Sequence, residues 1–243
     1  MKKILTFISL ISLTLGLVSA DIVQNQKVYA AANIIKAFAC DNNRSVNYHY
    51  VKEAKAVAII PNSVRFGAVA SLNSGDGIFV MKDFDGKWSS PAFIKYRGIG
   101  IGVQAGLESG DLVLIFQTSK SFMNLFNGMD TLEFNAGITP VKGGTVGFVT
   151  DLPEVSAWIV KNGPTSGVYF GATIDINKLS IDQASTNDYY EKLIDIQDIL
   201  NNSLKDSKYT KMLKDTMDKY FGNYQYYCDC ASCACNASPT YKK

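Results

Sequence analysis

Only one histidine, His49, stands in 243 residues. A His-based catalytic triad or a three-histidine zinc site is therefore excluded within one chain. His49 reads as a satisfied surface or interface residue. There is also no excess of one charge. Without Lys2 and Lys3 the chain has 22 basic and 22 acidic side chains. A nucleic-acid binder normally carries a clear basic excess, so that class is excluded. A membrane binder needs only a local patch. After the first residues, no apolar run of membrane-spanning length recurs.

The beginning of the chain reads as a targeting segment. Lys2 and Lys3 precede an apolar run from Ile4 to Leu17, and Val18, Ser19 and Ala20 supply small residues for cleavage. No cysteine follows at the cleavage point, which argues against a lipoprotein anchor. Residues 1–20 are thus expected to be a signal peptide cleaved near Ala20, with a periplasmic or secreted mature chain beginning near Asp21.

The periodicity then divides the chain. Ile22, Tyr29, Asn33, Ile34, Ala37 and Phe38 recur at helical steps. A polar break at Asp41–Arg44 follows. A short helix through Tyr48–Lys55 is expected to run into Ala56–Ile60 and to end at Pro61-Asn62. Nine β segments come next, at 64–72, 77–82, 92–96, 98–105, 111–117, 132–139, 145–150, 155–160 and 167–176. Turn signals lie at 73–77, 83–86, 108–110 and 162–164. A short helix over 119–127 has Thr118 or Ser119 as its cap and Gly128 as its stop. The segments 67–76 and 102–111 match at an offset of 35 residues, which reads as one hairpin type used twice. Two helices are expected at the end. One carries Tyr189, Leu193, Ile196 and Leu200 on a single face. The other carries Tyr209, Met212, Leu213, Thr216 and Tyr220. The fold class is α+β: an antiparallel β-sandwich or barrel-like core flanked by N-terminal and C-terminal helices.

One combination of motifs is specific. Glu53-Ala54-Lys55-Ala56-Val57-Ala58-Ile59-Ile60-Pro61 leads into Arg65-Phe66-Gly67 and Gly75-Asp76-Gly77. Trp88-Ser89-Ser90-Pro91-Ala92-Phe93 and Gly100-Ile101-Gly102-Val103-Gln104-Ala105-Gly106 follow. Asp111-Leu112-Val113-Leu114-Ile115-Phe116 and Gly167-Val168-Tyr169-Phe170-Gly171-Ala172 complete the series. In this order and spacing the stretch from Glu53 to about Tyr190 resembles the SYLF domain family. The resemblance implies phospholipid binding, above all to phosphoinositide and related anionic head groups, and actin binding in some eukaryotic members. Asp175, Asn177 and Lys178 stand where a further small residue is expected, and the cysteine tail is no part of the family pattern. The chain accordingly divides into residues 1–20, a SYLF-like domain with its N-terminal helix over 21–186, a helical extension over 187–222 and a Cys-rich tail over 223–243.

Anionic head groups need cationic donors. Lys55, Arg65, Lys82, Lys95 and Arg97 flank the strands of the family-like block and are the candidate lipid-binding residues, with a solvated rim as the competing reading. The helix around Val28–Phe38 is expected to add apolar contact to acyl chains. Lys205, Lys208, Lys211 and Lys214 read first as a broad solvated face and second as a membrane-docking helix. Gly98-Ile99-Gly100-Ile101-Gly102 has the wrong spacing for a dinucleotide loop. It reads as a strand whose glycines permit close approach of a helix or, less favoured, a lipid. Asp76, Glu108 and Asp111 fit turn chemistry better than a weak cation site.

Cys228, Cys230, Cys233 and Cys235 form two Cys-x-Cys units able to bind Zn²⁺ or Cu⁺. An oxidising compartment favours disulfides instead, and Cys40 makes the count five. A catalytic thiol would want a neighbouring histidine. The expectation is an exported, non-enzymatic lipid-binding module without a cofactor. The alternative is an envelope structural or protein-interaction module with a disulfide-forming or metal-binding tail.

Overall fold

The computed structural model describes residues 22–39, 51–67, 70–126, 131–138, 145–150, 155–160 and 170–222. The signal segment, Cys40, His49, the turn at 162–164, the Gly128 stop and the Cys-rich tail lie outside these residues, as do the side chains of Arg65 and Glu108.

Seven strands form one antiparallel sheet: β1 (Ala56–Gly67), β2 (Ala70–Met81), β3 (Ala92–Phe116), β4 (Thr131–Ile138), β5 (Thr145–Thr150), β6 (Val155–Val160) and β7 (Phe170–Ile181). β3 organises it. Its first part runs along β2, with Phe79 opposite Ala92 and Ala70 opposite Ile101. Its last part runs back along β1, from Gly67 opposite Gly106 to Ala56 opposite Phe116. β3 therefore rounds the end of the β1–β2 pair where Gly67 and Ala70 lie, with both of its own ends back at Ala56 and Phe79. Its other edge pairs with β7 over 94–105 and with β6 over 111–116. The β6–β5, β5–β4 and β4–β7 ladders return the hydrogen-bonded path to β3. The sheet is thus curled and barrel-like, and its main strands have both edges paired.

Several sequence expectations change here. The segments 92–96, 98–105 and 111–117 are one strand of 25 residues. The signals at 73–77 and 108–110 lie inside β2 and β3 and do not turn the chain. The expected hairpin is therefore absent from both copies of the repeat. Ala56–Ile60 is strand, and β1 continues through Pro61 and Asn62. A bulge between Ile60 and Ser63 accommodates both residues. Asn62 takes a left-handed φ of 50°, and its N–H donates to Asp111 Oδ1 at 2.9 Å. Asp111 thus serves the bulge. The Asp83–Gly86 turn stands as read: Asp83 Oδ1 accepts from the N–H groups of Asp85 and Lys87. The expected 119–127 helix is two 3-10 turns, Ser119–Ser121 and Met123–Leu125, with Thr118 as the cap.

The helices are α1 (residues 22–39), α2 (Gln183–Tyr190), α3 (Ile196–Leu200) and α4 (Lys208–Phe221). The single face drawn through Tyr189 and Leu193 is broken by Glu191 at φ 54°, and Leu193 is exposed. Both faces of the sheet are buried in its covered part, so apolar residues run continuously instead of alternating. Val57, Ile59, Ile78, Val80, Val113 and Ile115 meet α1 and α4 on the outer face. Ala58, Ile60, Phe79, Leu112, Leu114 and Phe116 face inward onto Phe122, Leu125 and Phe126 from the 3-10 turns. The α4 residues Leu213, Met217, Tyr220 and Phe221 share the outer core with α1, so the C-terminal extension completes the same core.

Candidate functional site

The side chains of α1 segregate by helical periodicity. Gln24, Val28, Ala31, Ile35 and Phe38 are buried at three- and four-residue steps, while Ile22, Tyr29 and Asn33 are exposed. The buried stripe is therefore rotated from the one read in sequence. The Val28–Phe38 face is occupied by the protein core and is not open to acyl chains. Phe38 lies 6.0 Å from Trp158 and 6.3 Å from Phe221, ring centre to ring centre.

α4 divides in the same way. Ser207 caps it by accepting the Thr210 N–H at 3.0 Å. Thr210, Leu213, Met217 and Tyr220 point into the protein. The opposite stripe carries Lys208, Lys211, Asp215 and Lys219, and Lys36 of α1 faces it. Between the two helices lies an open groove of about 720 Å³, with Ala32, Met212, Thr216 and Tyr220 lining its base. Thr216 is internally satisfied, since its hydroxyl donates to the Met212 carbonyl at 2.7 Å.

Four lysines and one aspartate give this groove a cationic excess. Among the described residues none of the four lysines forms an ion pair. Lys219 lies over the Tyr220 ring at 5.4 Å. The first turn of α4 contains no acid. Lys208 therefore stands where the helix dipole already makes the potential positive, an arrangement that disfavours a cation and favours a bound anion. Lysine supplies flexible point charges on long apolar stems, suited to phosphate or carboxylate without a fixed fork geometry.

The five cations singled out in sequence fall into separate places. Lys95 and Arg97 lie on the outer face of β3. Lys95 pairs with Asp182 at 3.1 Å. Arg97 pairs with Asp76 at 2.9 Å and donates to the carbonyls of Gly75 and Tyr96. Lys82 lies at the far end of β2, six positions beyond Asp76, or roughly 20 Å of extended chain. Its ammonium donates to the Phe221 carbonyl at 3.4 Å and lies 4.9 Å from the Trp88 ring. Burial, then the neighbouring Lys55, lower its pKa, against the opposing pull of Asp218 and Glu53. The backbones of Lys55 and Lys82 meet at 2.8 Å, and the Lys55 side chain is exposed. Arg65 stands opposite Asn73 and Glu108 in the ladder.

The sequence reading missed Lys36 and Lys219. Following 205, 208, 211 and 214 in steps of three drifts off the helix face. Steps of three and four through 208, 211, 215 and 219 stay on it. Lys214 belongs elsewhere: it pairs with Asp206 at 2.7 Å and donates to Asn202.

The Trp-Ser-Ser-Pro-Ala-Phe run has a packing role. Trp88 is buried edge-on to Phe221. The Ser89 hydroxyl accepts the Met81 N–H, Ser90 donates to Asp206, and the Pro91 carbonyl accepts the Tyr190 hydroxyl at 2.8 Å. Burial, and then Tyr189 beside it, hold the Tyr190 hydroxyl far above its ordinary pKa.

Comparison with known proteins places this geometry. The bovine SH3 domain-containing YSC84-like protein 1 is 25% identical over 203 residues, covering 80% of this chain and 59% of that protein. The same protein from Pongo abelii is 32% identical over 96 residues, covering 37% of this chain and 28% of its own length. Protein YSC84 of Saccharomyces cerevisiae is 28% identical over 122 residues, covering 48% of this chain and 25% of its own. This chain spans about 59% of the length of the relatives it matches over 203 residues. No solved structure matches it significantly. The model of the Ysc84 family, described as "Las17-binding protein actin regulator", matches residues 97–220, from the first part of β3 to the last turn of α4. The resemblance read from the motifs is thereby established: the chain belongs to the Ysc84, or SYLF-domain, family.

Proposed function

We propose that this chain is an exported, non-enzymatic binding module that recognises anionic phospholipid head groups in the groove between α1 and α4. The observation carrying this reading is the set of four lysines, Lys36, Lys208, Lys211 and Lys219, gathered around one acid over an apolar base. Each cation near an anionic surface contributes about 1 kcal/mol, so four together make a workable docking site. The long lysine stems and Met212 provide contact below the phosphate level. The mature chain, beginning near Asp21, would act in the periplasm or outside the cell.

The test is co-sedimentation of the mature protein with vesicles of phosphatidylcholine alone or mixed with phosphatidylglycerol. Binding should require the anionic lipid and weaken steeply as salt rises. Equal binding to neutral vesicles in high salt would refute the electrostatic reading.

A second reading is favoured by the family description and by the printed names of the yeast relatives, Protein YSC84 and LAS seventeen-binding protein 3. The same cationic groove would then accept an acidic segment of a protein partner. Salt-sensitive capture of a partner, with no vesicle binding under any lipid composition, would favour it.

A further inference from the structure

On the outer face of the sheet, beyond the part covered by α1 and α4, four large apolar side chains stand in one row across four strands. Phe66 of β1 is opposite Leu72 of β2, Leu72 is opposite Ile99 of β3, and Ile99 is opposite Ile176 of β7. Their exposures are 64%, 64%, 55% and 53%. Val64, on the same side of β1, is also exposed. Scattered surface apolars need no explanation, but a contiguous row across four strands does.

The charges beside this row differ from those in the helical groove. In the ladder Asp76 stands opposite Lys95, and Ser74 opposite Arg97. Arg97 is already paired with Asp76, and Lys95 with Asp182. The face is therefore apolar with a charge-balanced flank, which suits another protein face better than an anionic bilayer. The apolar residues project from paired strands, so the contact is made by the face and not by a free edge.

The row is also self-complementary. A two-fold axis parallel to the strands, midway between β2 and β3 and lying between two facing sheets, sets Leu72 against Ile99 of a second copy. It sets Asp76 against Lys95 with Arg97 close by, while Phe66 and Ile176 flank this line where the curled sheet falls away. Leu72 and Ile99 meet each other on both sides of the axis and the acid meets bases, as an isologous contact requires. We propose that this face is the interface of a homodimer, formed by packing the outer sheets of two copies face to face.

The experiment is sedimentation velocity on the purified mature protein over roughly 1–300 µM, the range in which a small interface dissociates. The expected result is a concentration-dependent dimer. Leu72→Glu and Ile99→Glu, both at exposed positions, should each lower dimer affinity at least tenfold while leaving the melting temperature near that of the parent. Asp76→Arg, which sets a cation against Lys95 of the second copy, should also weaken the dimer. A monomer throughout the range, or a dimer unaffected by both glutamate substitutions, would overturn the proposal. So would a monomer that binds neutral vesicles and loses that binding in Leu72→Glu, because the row would then be a bilayer contact.

Discussion

The side-chain amide of Asn73 donates to Oδ1 of Asn177 at 3.1 Å, joining β2 to β7 across the first part of β3. The Tyr96 hydroxyl donates to the same oxygen at 2.7 Å. All three residues are buried. Gly98 of β3 lies against this group, and a Cβ there would run into the Asn177 amide oxygen. The glycine is required by a neighbouring polar side chain, where the sequence suggested a helix or a lipid. Asn177→Ala removes an acceptor shared by two buried donors and should cost about 1–3 kcal/mol. Gly98→Ala should cost a similar amount through overpacking. Urea unfolding midpoints check both, and an unchanged midpoint in either variant would show that the polar contact does not stabilise the sheet.

Gly77 and Gly86 should respond differently to alanine. A Cβ on Gly77 would meet the Ile59 carbonyl and the Ile60 backbone, neither of which can rotate away. Gly86 has φ 78° and nothing within 4 Å. Gly86→Ala should therefore cost only backbone strain, about 1 kcal/mol, and Gly77→Ala distinctly more. Thermal melts of the two variants should rank them in that order.

Charge reversal in the helical groove should weaken anionic-vesicle binding without unfolding the protein. Lys211 is exposed and pairs with no acid among the described residues. With about 1 kcal/mol for each cation near the surface, neutralising one gives roughly a fivefold loss. Lys36→Glu with Lys211→Glu should lose far more, and the salt dependence should flatten. Lys95→Gln and Arg97→Gln should change binding little, because those cations already have acidic partners. Partition measurements across the four variants would reverse the site assignment if the effects came out in the opposite order.

Asp182 predicts a pH effect. Burial pushes its carboxyl up, but hydrogen bonds from Lys95 and Ser185 outweigh that and hold it below the ordinary aspartate value. The unfolded chain therefore takes up this proton first as the pH falls. The stabilisation is complete above about pH 4, the ordinary aspartate range, and is lost as the pH drops through the lower folded value. Asp218 has the opposite sign, because burial and neighbouring Asp215 raise its pKa. Comparing the parent with Asp182→Asn isolates the first effect. Urea midpoints between roughly pH 6 and pH 3 should fall more steeply in the parent, whereas parallel curves would remove Asp182 from the acid response.

The family was legible because its motifs are local and ordered, and the helical ends were legible because periodicity is local too. The join across 97 and 106–110 was not. Gly106, Ser109 and Gly110 satisfy turn chemistry as well as they satisfy a strand, and only pairing with β1, β2, β6 and β7 selects the strand. Pro61 and Asn62 looked like a terminus for the same reason: a bulge needs a partner strand to be recognised, and Asp111 lies 49 positions away.

Composition, spacing and helical period by themselves determined an α+β chain of this family, with nearly balanced charge and a single histidine. Which cations are available was decided only in three dimensions. Whether a lysine is spare depends on whether an acid distant in sequence lies within reach, and that distance is fixed by the fold: Lys95 and Arg97 found partners, while Lys36 was brought to Lys208, Lys211 and Lys219 by the packing of α1 beside α4. The exposed row from Phe66 to Ile176 has the same origin, because strand register, not sequence neighbourhood, aligned residues drawn from four separate strands.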